Sequence, residues 1–284
     1  MLRGDRGSRV ELKDTAQIRQ MRAAGRVVAG TLDLVRLEAR AGMSTAELDA
    51  LAEDSIRSAG AVPSFKGYYG FTGSICVSVN EEVVHGIPRA DRVLATGDVL
   101  SVDCGAILDG WHGDSAITFV VGGPQAGTEQ DRAHLNACET AMWRGIAEMY
   151  PGNRLGDIGY AIESYVASLG DYGNVREYGG HGIGSEMHME PHVLNYGKRR
   201  RGMRLQEGMC LAIEPMLTRG TRSVVPLDDG WTVVTEDGQP AAHFEHSVAV
   251  TADGPLVLTA RDENRETLAR LGFRDPDDSG IRVG

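Results

Sequence analysis

Four carboxylates and one imidazole, Asp103, Asp114, His181, Glu214 and Glu245, each stand in or beside a short apolar run. Val99-Leu100-Ser101-Val102 leads into Asp103 and Cys210-Leu211-Ala212-Ile213 into Glu214, while Asp114 and Glu245 sit inside comparable runs. A carboxylate in such surroundings must be neutral, paired or bound to a cation, because burying a bare charge is very costly. The donor set is hard and oxygen-rich with a single nitrogen. It suits a pair of divalent first-row ions bridged by shared carboxylates, whereas a structural zinc site draws on thiolates. The chemistry implied is hydrolysis by a metal-bound water. Any one of these acids alone reads as a strand-end residue; four in the same context, with His181-Gly182-Ile183-Gly184, argue for one site.

The surrounding sequence supplies elements that could bring them together. Val99 to Asp103 reads as a strand, and Trp111 to Val121 as a second strand entered through a turn at Asp109-Gly110, so a hairpin would juxtapose Asp103 and Asp114. Apolar residues recur at helical spacing from Thr15 to about Arg36, and Ser44 or Thr45 with Glu47 opens a second helix to Ala59. Asn80-Glu81-Glu82 reads as a turn within Ser74 to His85, and a further helix covers Glu129 to Met149 until Pro151-Gly152 breaks it. From about Arg176 the chain is mostly strand and turn. Helices on one side of antiparallel sheet make an α+β fold.

The chain also repeats itself. Gly42 to Gly60 aligns with Gly152 to Gly170 at an offset of 110 residues (152 − 42), with identities at Gly42/Gly152, Glu53/Glu163, Ser58/Ser168 and Gly60/Gly170. At an offset of 111, Gly97 to Asp103 aligns with Gly208 to Glu214, laying one candidate ligand on another. Solenoid units run to about 50 residues, so this longer period implies a duplicated α+β half and a pseudo-twofold axis near the site.

Composition sets outer bounds. With 284 residues, 42% hydrophobic and 24% charged, the chain has the make-up of a soluble globular protein with a full core. A net charge of −11 argues against a general nucleic-acid binder. No apolar stretch is long enough for a membrane span and no leader is evident, so a cytoplasmic protein is expected. Cys76, Cys104, Cys138 and Cys210 lack paired spacing and fit reduced, buried thiols.

Around the five candidate ligands lie Val84-His85-Gly86-Ile87-Pro88, Asp109-Gly110-Trp111-His112-Gly113-Asp114, Gly179-Gly180-His181-Gly182-Ile183-Gly184, Met187-His188-Met189-Glu190-Pro191 and Ile213-Glu214-Pro215-Met216. With these motifs in this order, the chain resembles the type I methionine aminopeptidases from roughly Thr15 to Thr259. Only 31 residues (245 − 214) separate Glu214 from Glu245, which leaves no room for the helical insertion of the second type. The resemblance implies the pita-bread fold: duplicated halves, antiparallel sheet covered by helices, and a pseudo-twofold axis. It divides the chain into an extension (1–14), one catalytic metallopeptidase domain (15–260, half-repeats about 15–121 and 129–250) and a polar tail (261–284).

The activity implied is removal of the initiator methionine from nascent polypeptides whose second residue is small, with two divalent ions (Co, Mn, Fe or Zn) on Asp103, Asp114, His181, Glu214 and Glu245. Glu214 would move a proton from the attacking water toward the leaving amine, His188 would hydrogen-bond the scissile carbonyl oxygen, and His85 would contact the leaving-side amide nitrogen. The methionine slot would be lined by Tyr68, Phe71, Cys76 and Trp231, with Met187 beside His188. The chain departs from the usual bacterial pattern here, since Phe71 replaces an expected tyrosine and Met187 a common aromatic. His112, His192, His243 and His246 read as structural. A monomer is expected. The basic run from Lys198 to Arg204 reads as a solvated hairpin tip or as a contact to ribosomal RNA. An X-Pro peptidase on the same metal frame and a non-catalytic relative are the rival functions.

Overall fold

The computed structural model describes residues 10–170 and 172–277, so the outer parts of the expected N-terminal extension and C-terminal tail lie outside the described residues. Asp14 opens helix α1 (Thr15–Glu38) through a reciprocal cap: its carboxylate accepts the Gln17 amide and the Gln17 side chain accepts the Asp14 amide, both at 2.9 Å. Ile18, Met21, Val28, Leu32 and Val35 form a fully buried stripe at helical spacing. Gly25 lies in the same stripe, where a Cβ would come within 2.2 Å of the Leu258 carbonyl oxygen and 2.8 Å is the corresponding gap from Gly113 to the Gly25 nitrogen. The missing side chains therefore let α1 rest directly on the strand Trp111–Val120, which carries Asp114.

Ser44 and Glu47 cap helix α2 (Thr45–Ser58) in the same reciprocal way. Together α1 and α2 cover a four-stranded sheet of Val62–Pro63, Ile75–Val79, Val99–Leu108 and Trp111–Val120. In the second half, helices α3 (Glu129–Ile146) and α4 (Leu155–Leu169) share a core with Val193, Leu211, Ile213, Leu217, Ala242 and Val248. A five-stranded sheet there runs in the order Gly254–Val257, His246–Thr251, Cys210–Ile213, Gly180–Gly182, Met189–Val193. Two three-stranded sheets complete the fold, and the strand pairs are antiparallel throughout the described residues.

The repeat is visible in the backbone. Gly42 and Gly152 have φ of 90° and 95°, Gly60 and Gly170 78° and 83°, Gly97 and Gly208 94° and 85°. All six lie in the region that glycine alone enters without strain, which is why these identities persist between the halves. An isolated bridge Ser44–Val93 has its counterpart in Arg154–Arg204. Even an exposed ion pair is duplicated, with Lys66 on Glu53 at 2.5 Å and Arg176 on Glu163 at 2.6 Å. This is the pita-bread fold.

Some boundaries differ from the sequence expectation. α3 stops at Ile146 rather than Met149, because Met149 and Tyr150 turn back through bonds to Ile146 and Glu148. Beyond residue 260, where a polar tail was expected, Asp262–Asn264 form a 3-10 turn and Arg265–Leu271 a short helix α5. Its Leu268 is 3% exposed against the second core, and Asp277 pairs with Arg22 at 2.9 Å. A single anchoring leucine in a charged stretch leaves little periodicity to read. The four cysteines are all buried and unpaired with one another, as expected. No helix among the described residues is long and apolar enough to cross a membrane.

Candidate metal centre

Asp103 pairs with Ala116 and Gly105 with Asp114 in the hairpin of Val99–Leu108 and Trp111–Val120. Side chains alternate along strands and directly paired residues share a face, so this register puts both aspartates on one face, diagonally adjacent. Glu245 reaches the same place from the second half. Its backbone exchanges bonds with Ala116 at 3.0 and 3.3 Å, Ser247 Oγ accepts the Asp114 amide at 3.0 Å, and Thr118 Oγ1 donates to the His243 carbonyl at 2.7 Å. The two halves are thereby joined edge to edge at the acids. His181 projects from Gly180–Gly182, and Glu214 stands between Cys210–Ile213 and Met216–Thr218.

One ligand atom from each of Asp114, His181 and Glu245 lies within 4.8 Å of the others. His181 Nε2 is 4.0 Å from Asp114 and 3.6 Å from Glu214 Oε1. The four acids and His181 line one cavity of about 310 Å³. Asp114, His181, Glu214 and Glu245 are each at most 8% exposed; Asp103 retains some surface, yet its Oδ1 is enclosed.

The donor set can be tested against a cation on its own electrostatics. Asp103 Oδ1, Asp114 Oδ1 and Glu245 Oε1 are buried without a hydrogen-bond partner, which native interiors rarely tolerate. Burial, opposed by His243 and aided by Glu214, pushes the Asp103 carboxyl up to about 7. Burial and the neighbouring acids push Asp114 and Glu245 well above the carboxylate range. Glu214 goes the other way: burial pushes it up, but His243, His181 and His188 together hold it below its ordinary value. Divalent charge among these oxygens would satisfy the orphaned atoms and reverse the upward shifts. The residues fit a divalent metal.

Beside the acids, Phe65, Phe71, Cys76 and Met187 form a small buried cluster with Tyr68, Ile87 and Trp231 packed on it. All of the sequence-predicted slot residues meet there, and the same 310 Å³ cavity runs from them to the acids. Phe65 was not foreseen, since no motif marks it. A second, open cleft of about 640 Å³ abuts the first and shares His85, His181, His188 and Glu214 with it, extending past Tyr178, Met189 and Glu190. A larger cavity of about 790 Å³ lies between α1 and α3, away from the acids; there Arg36 already pairs with Glu263 and Arg261 with Glu263, and among the described residues no comparable convergence of donors lines it.

His85 has φ of 60° and lies edge-on to Tyr178 and Trp231, at 5.6 and 6.2 Å between ring centres. A histidine in the left-handed region is uncommon, and this one stands on the wall that both cavities share. His188, whose outer edge is exposed, has its ring pushed down to about 4 by burial and by His181, and is therefore neutral near pH 7. His243, read from sequence as structural, is 1% exposed with Nε2 3.6 Å from Glu214 Oε2 and no hydrogen-bond partner. The signal lay in its position two residues before Glu245. His112 and His246 are held by Ser64 and Thr259.

Known proteins share this arrangement. The model of metallopeptidase family M24 matches residues 19–252. Methionine aminopeptidase 1 of Mycobacterium tuberculosis is 52% identical over 260 residues, covering 89% of this chain and 97% of the relative; methionine aminopeptidase of Clostridium acetobutylicum is 50% identical over 248, covering 87% and 98%. The crystal structure of methionine aminopeptidase from Rickettsia prowazekii superposes with a TM-score of 0.85 at 40% identity, covering 89% of this chain and 100% of that one. Prolidase from Pyrococcus furiosus, at 21% identity and a TM-score of 0.70, shares the fold while this chain covers 65% of it. The chain belongs to metallopeptidase family M24, among its methionine aminopeptidases.

Proposed function

We propose that this chain removes the initiator methionine from nascent polypeptides with a small second residue, holding two divalent ions on Asp103, Asp114, His181, Glu214 and Glu245. The observation that carries this reading is that the five donors converge where an apolar pocket of about 310 Å³ meets an open cleft of about 640 Å³. A methionine side chain suits the smaller, apolar end, and the larger cleft leaves room for the rest of the polypeptide. Cleavage is then confined to the first peptide bond. The cleft is complete within one chain, which supports action as a monomer, and cytoplasmic nascent chains are the proposed partners.

When bound, the ions supply positive charge that makes water more acidic and polarises the scissile carbonyl. The protein does the rest. Glu214 takes a proton from the attacking water and delivers it to the leaving amide nitrogen as the carbon–nitrogen bond breaks. His188 donates to the carbonyl oxygen as charge develops there, and His85 orients the leaving-side amide. Phe71, Cys76, Met187 and Trp231 enclose the methionine, and Tyr68 closes the rim. With Met187 in place of an aromatic ring the wall is more adaptable.

Turnover of Met-Ala-Ser beside an X-Pro peptide tests the reading: cleavage of the first alone is expected, and preference for the second would reassign the chain to the X-Pro peptidases. Replacing His188 by Ala is expected to lower kcat by about 10²-fold with a smaller change in KM, because its contact strengthens in the transition state. An unchanged kcat removes His188 from the reaction. We further propose that the exposed basic turn Lys198–Arg204 contacts ribosomal RNA. It wraps the start of α4, where the Arg200 amide donates to Asp157 at 2.7 Å, and it offers several cations to phosphates. Changing these basic residues to Ser should release the enzyme from pelleted ribosomes; equal pelleting refutes the contact.

A further inference from the structure

Tyr68 was foreseen only as a wall of the methionine slot, yet its hydroxyl lies 2.8 Å from His188 Nδ1. Its ring centre rests 5.2 Å from that of His188 at 47°, and the His181 ring lies 4.3 Å from the same ring at 63°. His188 occupies a bend just before the strand Met189–Val193, and its Nδ1 finds its hydrogen-bond partner in the Tyr68 hydroxyl. We propose that Tyr68 is a positioning residue whose hydroxyl fixes His188 in the tautomer that carries its proton on Nε2. The proposal rests on the aminopeptidase reading for the use of that proton, and on the hydrogen bond alone for the tautomer.

Chemistry chooses the direction of the bond. A phenol is a far better proton donor than acceptor, since its oxygen lone pair is shared with the ring. The unprotonated imidazole nitrogen is among the strongest neutral acceptors in proteins. The pair is therefore strongest as Tyr68 O–H donating to His188 Nδ1. Burial raises the ionisation point of Tyr68, which keeps that proton in place. With Nδ1 engaged as acceptor, the neutral ring must hold its hydrogen on Nε2. That nitrogen becomes a donor suited to a carbonyl oxygen gaining negative charge. The opposite tautomer would present a lone pair to that oxygen and repel it.

The backbone around Tyr68 is built to aim this hydroxyl. Gly67 and Gly70 both have φ of 90°, and Tyr69 between them has φ of 45° although its ring is 85% exposed. A tyrosine in the left-handed region is strained, and burial of its own ring offsets little of that cost. The turn is closed by Gly67 N–H donating to Phe71 O at 2.8 Å and Tyr68 N–H to Phe65 O at 2.9 Å. Strain of this kind persists where surrounding structure demands it, and here what the turn delivers is the Tyr68 side chain to His188.

The test is nitrogen NMR of zinc-loaded enzyme carrying ¹⁵N-histidine. With eight histidines in the chain, the His188 signals are assigned by their loss in His188→Gln. Wild-type His188 should show a hydrogen-bonded, unprotonated Nδ1 and a protonated Nε2. In Tyr68→Phe, which keeps the ring, that signature should give way to a tautomer mixture, and kcat on Met-Ala-Ser should fall about tenfold with KM altered less than about twofold. A wild-type ring protonated on Nδ1, or Tyr68→Phe with unchanged spectrum and kcat, overturns the proposal. Failure of the wild type to cleave Met-Ala-Ser would defeat the aminopeptidase reading instead, and the nitrogen spectrum would still decide the tautomer.

Discussion

Replacing Glu214 by Gln should remove nearly all turnover while leaving the fold intact. The side chain is 8% exposed, with Oε1 3.6 Å from His181 and Oε2 3.6 Å from His243. Unlike Asp114 and Glu245, whose carboxyls are pushed up, Glu214 is held below its ordinary value by its three histidines in spite of burial. Its carboxylate is thus charged, the form that can accept a proton. An amide of the same shape can neither take that proton nor contribute negative charge to a cation. Loss of a positioned acid–base group alone costs about 10²–10⁴-fold, and the weakened metal site adds to it. Circular dichroism should match wild type, since the amide fills the same volume, and the melting temperatures of the two metal-free proteins should lie close together. Wild-type kcat in the variant would take Glu214 out of the mechanism.

Metal removal should have an effect of similar size on activity and a second effect on stability. Three buried carboxyls with orphaned oxygens, Asp103, Asp114 and Glu245, are pushed toward protonation by burial and by one another. Divalent charge relieves that repulsion only in the folded protein, where the donors converge. Binding therefore stabilises the native state, by about 2.7 kcal/mol at a free-ion concentration one hundred times the Kd. A strong chelator should abolish cleavage and lower Tm, and Mn²⁺, Co²⁺ or Fe²⁺ should restore both. Protein shown to be metal-free by elemental analysis and still fully active would contradict the proposed site.

Much of this arrangement could be read from the sequence because it depends on local patterns. The Asp109-Gly110 turn fixes the hairpin that aligns Asp103 with Asp114, and the matched glycines recur because each has a positive φ in both halves. The five candidate donors and the slot residues Tyr68, Phe71, Cys76 and Trp231 are found together, as the motif order suggested. What escaped depends on contacts between distant segments. His243 meets Glu214 only once Ala241–His243 pairs with Met216–Thr218, which sets His243 opposite Met216, two residues past Glu214. Phe65 enters the pocket through a turn with no motif of its own, and Gly105 leaves it room, since a Cβ there would lie 2.8 Å from its ring. Likewise α5 is held by one buried leucine and a long-range pair between Arg22 and Asp277, neither of which has a periodic signature.

Anomalous diffraction from crystals grown with excess Mn²⁺ tests the proposed centre most directly. Two neighbouring peaks are expected between the halves, enclosed by Asp103, Asp114, His181, Glu214 and Glu245. Peaks elsewhere, or these five side chains turned away from the ions, would contradict a hydrolytic centre at this place.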